Sequence, residues 1–134
     1  MRLTSRYRFS ASHRLDAPSL TAEENRRLYG KCNNPHGHGH DYAVEITVEG
    51  PLDASGQVVN RMALDTLVKD QALARMDHRY LNMDLAEFAD CVPTTENLAI
   101  AIWQRLAPKL KAAQLHRVRV YETPDLFVDF YGEA

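Results

Sequence analysis

Apolar and polar residues alternate in four stretches of the chain, and this period of two is typical of β-strands with one buried face. The stretches cover residues 3–13, 38–49, 115–122 and 126–131, and a turn at 123–125 joins the last two. The first two strands place on one face Tyr7, Phe9, Ala11 and His13, and then His38, His40, Tyr42, Val44, Ile46 and Val48. We expect the opposite face of the second strand to be solvated. It carries Asp41, Glu45, Thr47 and Glu49.

Apolar residues at helical spacing predict two main helices after the second strand. The first covers residues 62–76, and the second begins near Thr94. Because Pro108 lacks a backbone N–H, we expect the second helix to kink or end there. A shorter helix is predicted earlier in the chain, with Thr21 as its N-cap and Gly30 at its end.

The predicted elements follow the order β, short α, β, α, α, β, β. A turn cluster at 50–56 follows the second strand, and we expect Val58 and Val59 to begin another extended segment. No repeat, low-complexity run or linker divides the chain. We therefore predict one α+β domain over residues 1–134, with a four-stranded antiparallel sheet and two main helices on one face. Such a sheet has two edges to protect, and pairing with sister subunits is one way to protect them.

The composition adds a size and a nearly neutral charge. The chain has 134 residues and a mass of 15.2 kDa, 45% of its residues are apolar, and its formal charge is −2. This charge predicts neither a nucleic-acid partner nor an anionic membrane surface, and the longest apolar run, 98–103, is too short to span a bilayer. Two cysteines cannot form the disulfide framework of a small secreted protein, and no signal-peptide pattern follows Arg2. We expect a cytoplasmic protein with reduced thiols.

Six histidines stand out in this composition, and four of them lie between residues 13 and 40. Because residues two apart in a strand point to the same side, His38 and His40 project together, with room left by Gly37 and Gly39. Antiparallel pairing of the first two strands would bring His13 opposite them. Three imidazoles with an open coordination position are typical of a catalytic zinc site. His36 has the same parity as His38 and His40, so spacing leaves open which two of these three bind.

Two further groups suggest proton transfer. Cys32 follows Lys31, whose ammonium, like a metal, would favour a thiolate that acts as base or nucleophile. The alternatives are an inert cysteine and a fourth zinc ligand that would make the site structural. Asp77 and His78 could form a carboxylate–imidazole pair. Because adjacent residues rarely bond each other directly, we expect any relay to run to a third group. Cys91 and His116 are interpreted as surface residues; neither has a predicted polar partner.

A carboxylate also lies where an apolar residue is expected. Glu122 shares a strand face with Val118 and Val120, so it needs a donor from the protein or a ligand, such as the paired N–H groups of a heterocycle. Thr94 and Glu96 are explained by the helix start, as a cap and an acid in the first turn.

Five segments together resemble the 6-pyruvoyltetrahydropterin synthase family, which includes the 6-carboxytetrahydropterin synthases. They are FSASHRL (9–15), GKCNNPHGHGHDY (30–42), MDHRYLNMD (76–84), PTTENLAIAIW (93–103) and VYET (120–123). The resemblance covers nearly the whole chain and implies the tunnelling fold, in which three subunits close their sheets into a barrel and two trimers stack into a hexamer. It also implies active sites at subunit interfaces.

The resemblance assigns roles to ten residues. It implies that His13, His38 and His40 bind zinc, that Cys32, Asp77 and His78 are catalytic, and that Glu122, Thr94, Thr95 and Glu96 hold the pterin. His36 stands where relatives often carry Asn, which leaves an extra metal contact open. Lys31 and Arg14 are candidates for binding triphosphate because they lie near the motifs.

The implied activity is conversion of 7,8-dihydroneopterin triphosphate to 6-pyruvoyltetrahydropterin, with elimination of triphosphate and without nicotinamide or flavin. Relatives that make 6-carboxytetrahydropterin for queuosine-type synthesis use the same substrate and release acetaldehyde. The CNNP, GHGH and TTEN strings favour the pyruvoyl reaction. A non-catalytic zinc-binding module, with Cys32 as the fourth ligand, is the third hypothesis.

Overall fold

The protein was studied as a computed structural model, which describes residues 1–133. Five strands form one mixed sheet in the order β3-β1-β2-β4-β5. The strands are β1 (Arg2–His13), β2 (His38–Glu49), β3 (Arg79–Tyr80), β4 (Gln114–Thr123) and β5 (Leu126–Phe130). All neighbouring pairs are antiparallel except β1 and β3, which are parallel. The α+β class is therefore confirmed.

The helices are α1 (Ala22–Tyr29), α2 (Arg61–Val68), α3 (Ala74–Met76), α4 (Leu81–Asp84) and α5 (Thr95–Leu106). The predicted start of α1 is confirmed, since Thr21 and Glu24 form a reciprocal capping box. Thr94 likewise caps α5 by accepting from the Asn97 backbone N–H. The helix stops before Pro108, which lies in a short 3₁₀ turn at Ala107–Lys109. Another 3₁₀ turn, Gly30–Asn33, carries Cys32 and was not predicted.

The predicted count of four strands is wrong, because the two-residue β3 adds a fifth. Ala11 and Ser12 of β1 pair with Arg79 and Tyr80. This strand is too short to produce a detectable alternation in the sequence, so only its contact with β1 defines it. The residues Val58 and Val59 form bends rather than an extended segment, although both are buried.

The predicted helix over 62–76 is helical but not uniform. A π-helical turn, Lys69–Leu73, separates α2 from α3. Leu64, Val68, Ala72 and Met76 are all buried although they are spaced four apart. In an α-helix each step of four overshoots a full turn by about 40°. The wider π turn offsets this drift and keeps the apolar stripe on the core.

The core lies between the helices and one face of the sheet. It contains the even-numbered residues of β2 from Tyr42 to Val48, together with Val118 and Val120 of β4 and Leu98 and Ile102 of α5. No helix among residues 1–133 is long and apolar enough to cross a membrane.

The opposite face of the sheet is only partly solvated, which corrects the prediction for β2. Asp41 is exposed, but Thr47 is 4% exposed and shares a hydrogen bond with Thr4 at 2.7 Å between hydroxyl oxygens. Glu45 pairs with Arg117 at 3.0 Å, because charged residues of neighbouring strands meet across the ladder.

Candidate metal and catalytic site

The sheet register brings the ends of β1 and β2 together as predicted. His13 lies opposite His38, and Ala11 lies opposite His40. The His13 and His40 rings stand 5.0 Å apart, centroid to centroid, in an edge-to-face arrangement. Backbone pairing thus fixes these two histidines at one end of the sheet. The 3₁₀ turn that contains Cys32 lies at the same end.

Four side chains converge at this point: His13, Cys32, His40 and Glu122. Their potential ligand atoms all lie within 4.8 Å of one another. The His40 Nε2 atom lies 3.2 Å from a Glu122 oxygen and 3.6 Å from the Cys32 sulfur. Imidazole nitrogen, thiolate sulfur and carboxylate oxygen are the ligand types that Zn²⁺ takes in proteins.

His13 is oriented for coordination. Its side chain is fully buried, and its Nδ1 lies 2.9 Å from the Pro93 carbonyl oxygen. Because a carbonyl only accepts, Nδ1 carries the proton and Nε2 keeps its lone pair. Nε2 is buried and has no hydrogen-bond partner within residues 1–133. A buried nitrogen without a partner, beside a thiol and a carboxylate, fits a metal ligand.

The other two histidines of the sequence motif lie outside this group of four. The His38 ring is near, with its centroid 4.8 Å from that of His40. His36 is exposed in the loop before β2. The structure therefore brings His38 to the edge of the site and leaves His36 in solvent.

Glu122 has the donor partners that its position requires. The Thr95 hydroxyl donates to one carboxylate oxygen, and His40 contacts the other. Since Thr95 is 3% exposed, its hydroxyl fixes the carboxylate from within the protein. The other two predicted pterin contacts lie farther out: Thr94 caps α5, and Glu96 is exposed in the first turn.

The environment of Cys32 opposes ionisation in the metal-free protein. Burial and the Glu122 carboxylate raise the pKa of this thiol. Lys31 is exposed, so the predicted stabilisation of the thiolate by its ammonium is not seen. Burial also lowers the pKa of His13 and His40, which keeps both imidazoles neutral and able to bind a metal.

Asp77 and His78 contact each other directly, contrary to the expectation that these adjacent residues would not; the relay to a third group stays a prediction. The His78 Nδ1 lies 3.1 Å from an Asp77 oxygen. The contact is possible because His78 has a positive φ of 60°, which is uncommon for a residue other than glycine. The same Asp77 oxygen accepts the Ser10 backbone N–H at 2.9 Å, and this hydrogen bond lowers the pKa of Asp77.

His78 and His40 both line an open cavity of about 520 Å³, whereas Asp77, His13, Cys32 and Glu122 do not line it. The His78 side chain is 81% exposed, so the imidazole points into open space. The Asp77–His78 pair and the four converging side chains lie on opposite edges of β1. This is because β2 pairs with one edge of β1, and the segment after α3 contacts the other edge.

Three other residues named in the sequence analysis lie away from the centre or make structural contacts. The Arg14 guanidinium contacts the Asn33 carbonyl and Asp16. Contrary to the prediction, His116 has a polar partner, Glu49, at 3.6 Å. Cys91 is an exposed free thiol, as expected.

Sequence reasoning missed two residues that support the site. Tyr42 places its hydroxyl 3.2 Å from His13 Nδ1. The Asn82 side chain exchanges two hydrogen bonds, each of 2.8 Å, with the backbone of Arg14, next to His13. Tyr42 shares the face of His38 and His40, which was a usable signal. Asn82 had no such signal, because its partner is distant in sequence.

This fold and this site define an α+β protein with a candidate transition-metal centre and an adjacent carboxylate–imidazole pair. A sequence model described as 6-pyruvoyl tetrahydropterin synthase matches residues 2–133. The chain belongs to the 6-pyruvoyl tetrahydropterin synthase family.

Individual relatives agree with this assignment. The chain is 46% identical over 132 residues to the 6-pyruvoyl tetrahydrobiopterin synthase of Homo sapiens, covering 98% of this chain and 91% of the relative. The structure of Caenorhabditis elegans 6-pyruvoyl tetrahydropterin synthase superposes with a TM-score of 0.93 at 32% identity, covering 99% and 96%. Similarity to a putative 6-carboxy-5,6,7,8-tetrahydropterin synthase of Archaeoglobus fulgidus is weaker, at 30% identity over 83% and 88%.

Proposed function

We propose that this protein is a zinc-dependent lyase that converts 7,8-dihydroneopterin triphosphate to 6-pyruvoyltetrahydropterin and triphosphate. The observation that carries the proposal is the buried, unpartnered His13 Nε2 beside Cys32, His40 and Glu122, in a chain of this family. The greater identity to pyruvoyl-forming than to carboxy-forming relatives supports the product.

His13, His38 and His40 are the proposed zinc ligands. His13 and His40 already face the site, and the ring of His38 adjoins that of His40. Bound zinc would polarise the hydroxyl oxygens of the substrate side chain and acidify the neighbouring C–H bonds. This arrangement leaves the sulfur of Cys32 and the carboxylate of Glu122 for the substrate.

Glu122 is proposed to anchor the pterin ring. Its carboxylate ends the apolar face of β4 and is oriented by the buried Thr95 hydroxyl. A carboxylate held in this way can accept two parallel N–H bonds from a heterocycle. Thr94 and Glu96, at the first turn of α5, extend the same surface.

Cys32, Asp77 and His78 are proposed to move protons. The thiolate takes a proton from the substrate side chain, and the Asp77–His78 pair serves as the partner donor and acceptor. The carbon–oxygen bond to triphosphate breaks, and triphosphate leaves with the bonding electrons. The remaining hydrogens redistribute within the substrate, so neither an oxidant nor a reductant is consumed.

The working unit is proposed to be a hexamer built from two trimers, in the cytoplasm. Among residues 1–133, β3 covers only Ala11 and Ser12 of the outer edge of β1, and β5 pairs with β4 alone. Edge pairing between copies would close three sheets into a barrel and bring a neighbouring chain to each site. Both free thiols suit a reducing compartment.

The decisive experiment is to incubate the zinc-loaded protein with 7,8-dihydroneopterin triphosphate and identify the products. We expect a 6-pyruvoyl product and triphosphate, no acetaldehyde, loss of turnover after chelation, and recovery with zinc. Acetaldehyde with a 6-carboxy product would instead establish the alternative synthase. A protein that binds zinc but catalyses neither reaction would support the non-catalytic zinc-binding module.

A further inference from the structure

Tyr42 packs against two histidines of the candidate metal centre, His13 and His40. Its side chain is 1% exposed, and its ring stacks on Phe9 at 5.1 Å with an angle of 14°. The ring also meets the His13 and His40 rings edge to face, at 6.4 and 5.7 Å. Tyr42 therefore limits the movement of two proposed zinc ligands by packing alone.

The hydroxyl group makes a more specific contact. Its oxygen lies 3.2 Å from His13 Nδ1, the same nitrogen that lies 2.9 Å from the Pro93 carbonyl oxygen. Since the carbonyl requires a proton on Nδ1, the Tyr42 oxygen is a second acceptor for that N–H. The carbonyl contact sets the tautomer in which Nε2 is free of a proton, and the hydroxyl contact holds the ring in the same orientation.

A phenylalanine would fill the same apolar space without burying a hydroxyl. Burying a polar group costs free energy unless it is hydrogen-bonded. Within residues 1–133 the hydrogen bond found for this hydroxyl is the one to His13. Its structural effect is therefore directed at the orientation of that imidazole.

We propose that Tyr42 is a positioning residue whose hydroxyl, together with the Pro93 carbonyl, holds His13 with Nε2 directed at the metal. This inference rests on the proposed role of His13 as a zinc ligand. Partners of ligating histidines fix the ring and its tautomer, and removing them weakens metal binding by about 10–100-fold. Because Pro93 remains, we expect the lower end of that range.

The test compares Tyr42→Phe with Phe9→Leu in the full chain. Tyr42→Phe removes the hydroxyl and keeps the ring, whereas Phe9→Leu removes the stacked ring and keeps the hydroxyl. Zinc affinity would be measured by competition with a chromophoric chelator, and the His13 tautomer by ¹⁵N NMR of the metal-free protein. We expect about tenfold weaker zinc binding in Tyr42→Phe with the Nδ1–H tautomer retained through Pro93, and unchanged zinc affinity in Phe9→Leu.

The possible outcomes distinguish failure of the proposed zinc site from failure of the proposed role of Tyr42. Failure of the wild-type chain to bind zinc would contradict the proposed metal centre and this inference with it. Zinc binding by the wild type with unchanged affinity in Tyr42→Phe would contradict this inference alone. Equal losses in both variants would show that packing, rather than the hydroxyl, positions His13.

Discussion

At the scale of single residues, the site combines groups whose burial suppresses charge. The thiol of Cys32 and the imidazoles of His13 and His40 are all shifted toward their neutral forms by desolvation. A cation at the centre would reverse this for the thiol, since a nearby positive charge favours the thiolate. The proposed reaction therefore depends on a cation at the histidines, which would make the Cys32 thiol reactive.

Replacing Cys32 tests whether its sulfur works on the substrate or on the metal. We expect Cys32→Ala to retain zinc and to lose turnover by a factor of about 10²–10⁴, the usual contribution of a positioned base. Zinc content and single-turnover rate are the measurements. Cys91→Ala is the matched control, because Cys91 is the other free thiol and is exposed. Loss of zinc from Cys32→Ala would identify Cys32 as a structural ligand.

At the scale of elements, the loop before β2 fits tightly against the end of β1. Gly37 has φ +83°, and a Cβ built there would lie 2.8 Å from the His13 carbonyl oxygen and 3.2 Å from the Tyr80 ring. A residue with a side chain at this position would have a strained backbone, and its Cβ would press against the backbone of His13, a proposed zinc ligand. The glycine thus allows the strand of His38 and His40 to start beside His13.

We expect Gly37→Ala to destabilise the fold by about 1–3 kcal/mol and to weaken zinc binding, because the loop must move away from His13. Chemical unfolding and zinc titration would measure the two effects. Gly39→Ala is the matched control, since a Cβ at Gly39 meets nothing closer than 3.9 Å. Equal behaviour of the two variants would contradict a specific role for Gly37.

At the scale of the whole molecule, the sheet ends in edges that the described part of the chain, residues 1–133, does not cover. The outer edge of β1 has β3 on only two residues, and the β5 end exposes Leu126, Phe127 and Tyr131. Edges of this kind are usually protected in stable proteins. A second copy of the chain is the partner required by the proposed barrel.

We expect the wild-type protein to have a mass of about 91 kDa in solution, six times 15.2 kDa, consistent with a closed assembly. Leu126→Lys should dissociate it, because burying an unpaired ammonium in an interface is costly. Leu52→Lys is the control: Leu52 and Leu126 are both 51% exposed, but Leu52 lies in the loop between β2 and α2. Sedimentation of the three proteins measures the result, and a monomeric wild type would contradict the assembly.

Local sequence patterns predicted much of the secondary structure and several residues of the candidate site. Period-two alternation indicated the four long strands, and caps at Thr21 and Thr94 located two helices. The same alternation placed His13, His38 and His40 on one face, since parity alone determines the face of a strand. Glu122 was recognisable as a carboxylate in need of partners because its neighbours on that face are apolar.

The remaining features depend on contacts between distant parts of the chain. The orienting partner of His13 lies 80 residues away, at Pro93, and Thr95 is 27 residues from Glu122. The strand β3 exists only through its pairing with β1, and the Asp77–His78 contact depends on one backbone angle. The sequence by itself therefore determined which residues could act, because side-chain chemistry and periodicity are local. Only the tertiary structure decided which of them meet, because that depends on register, packing and backbone conformation.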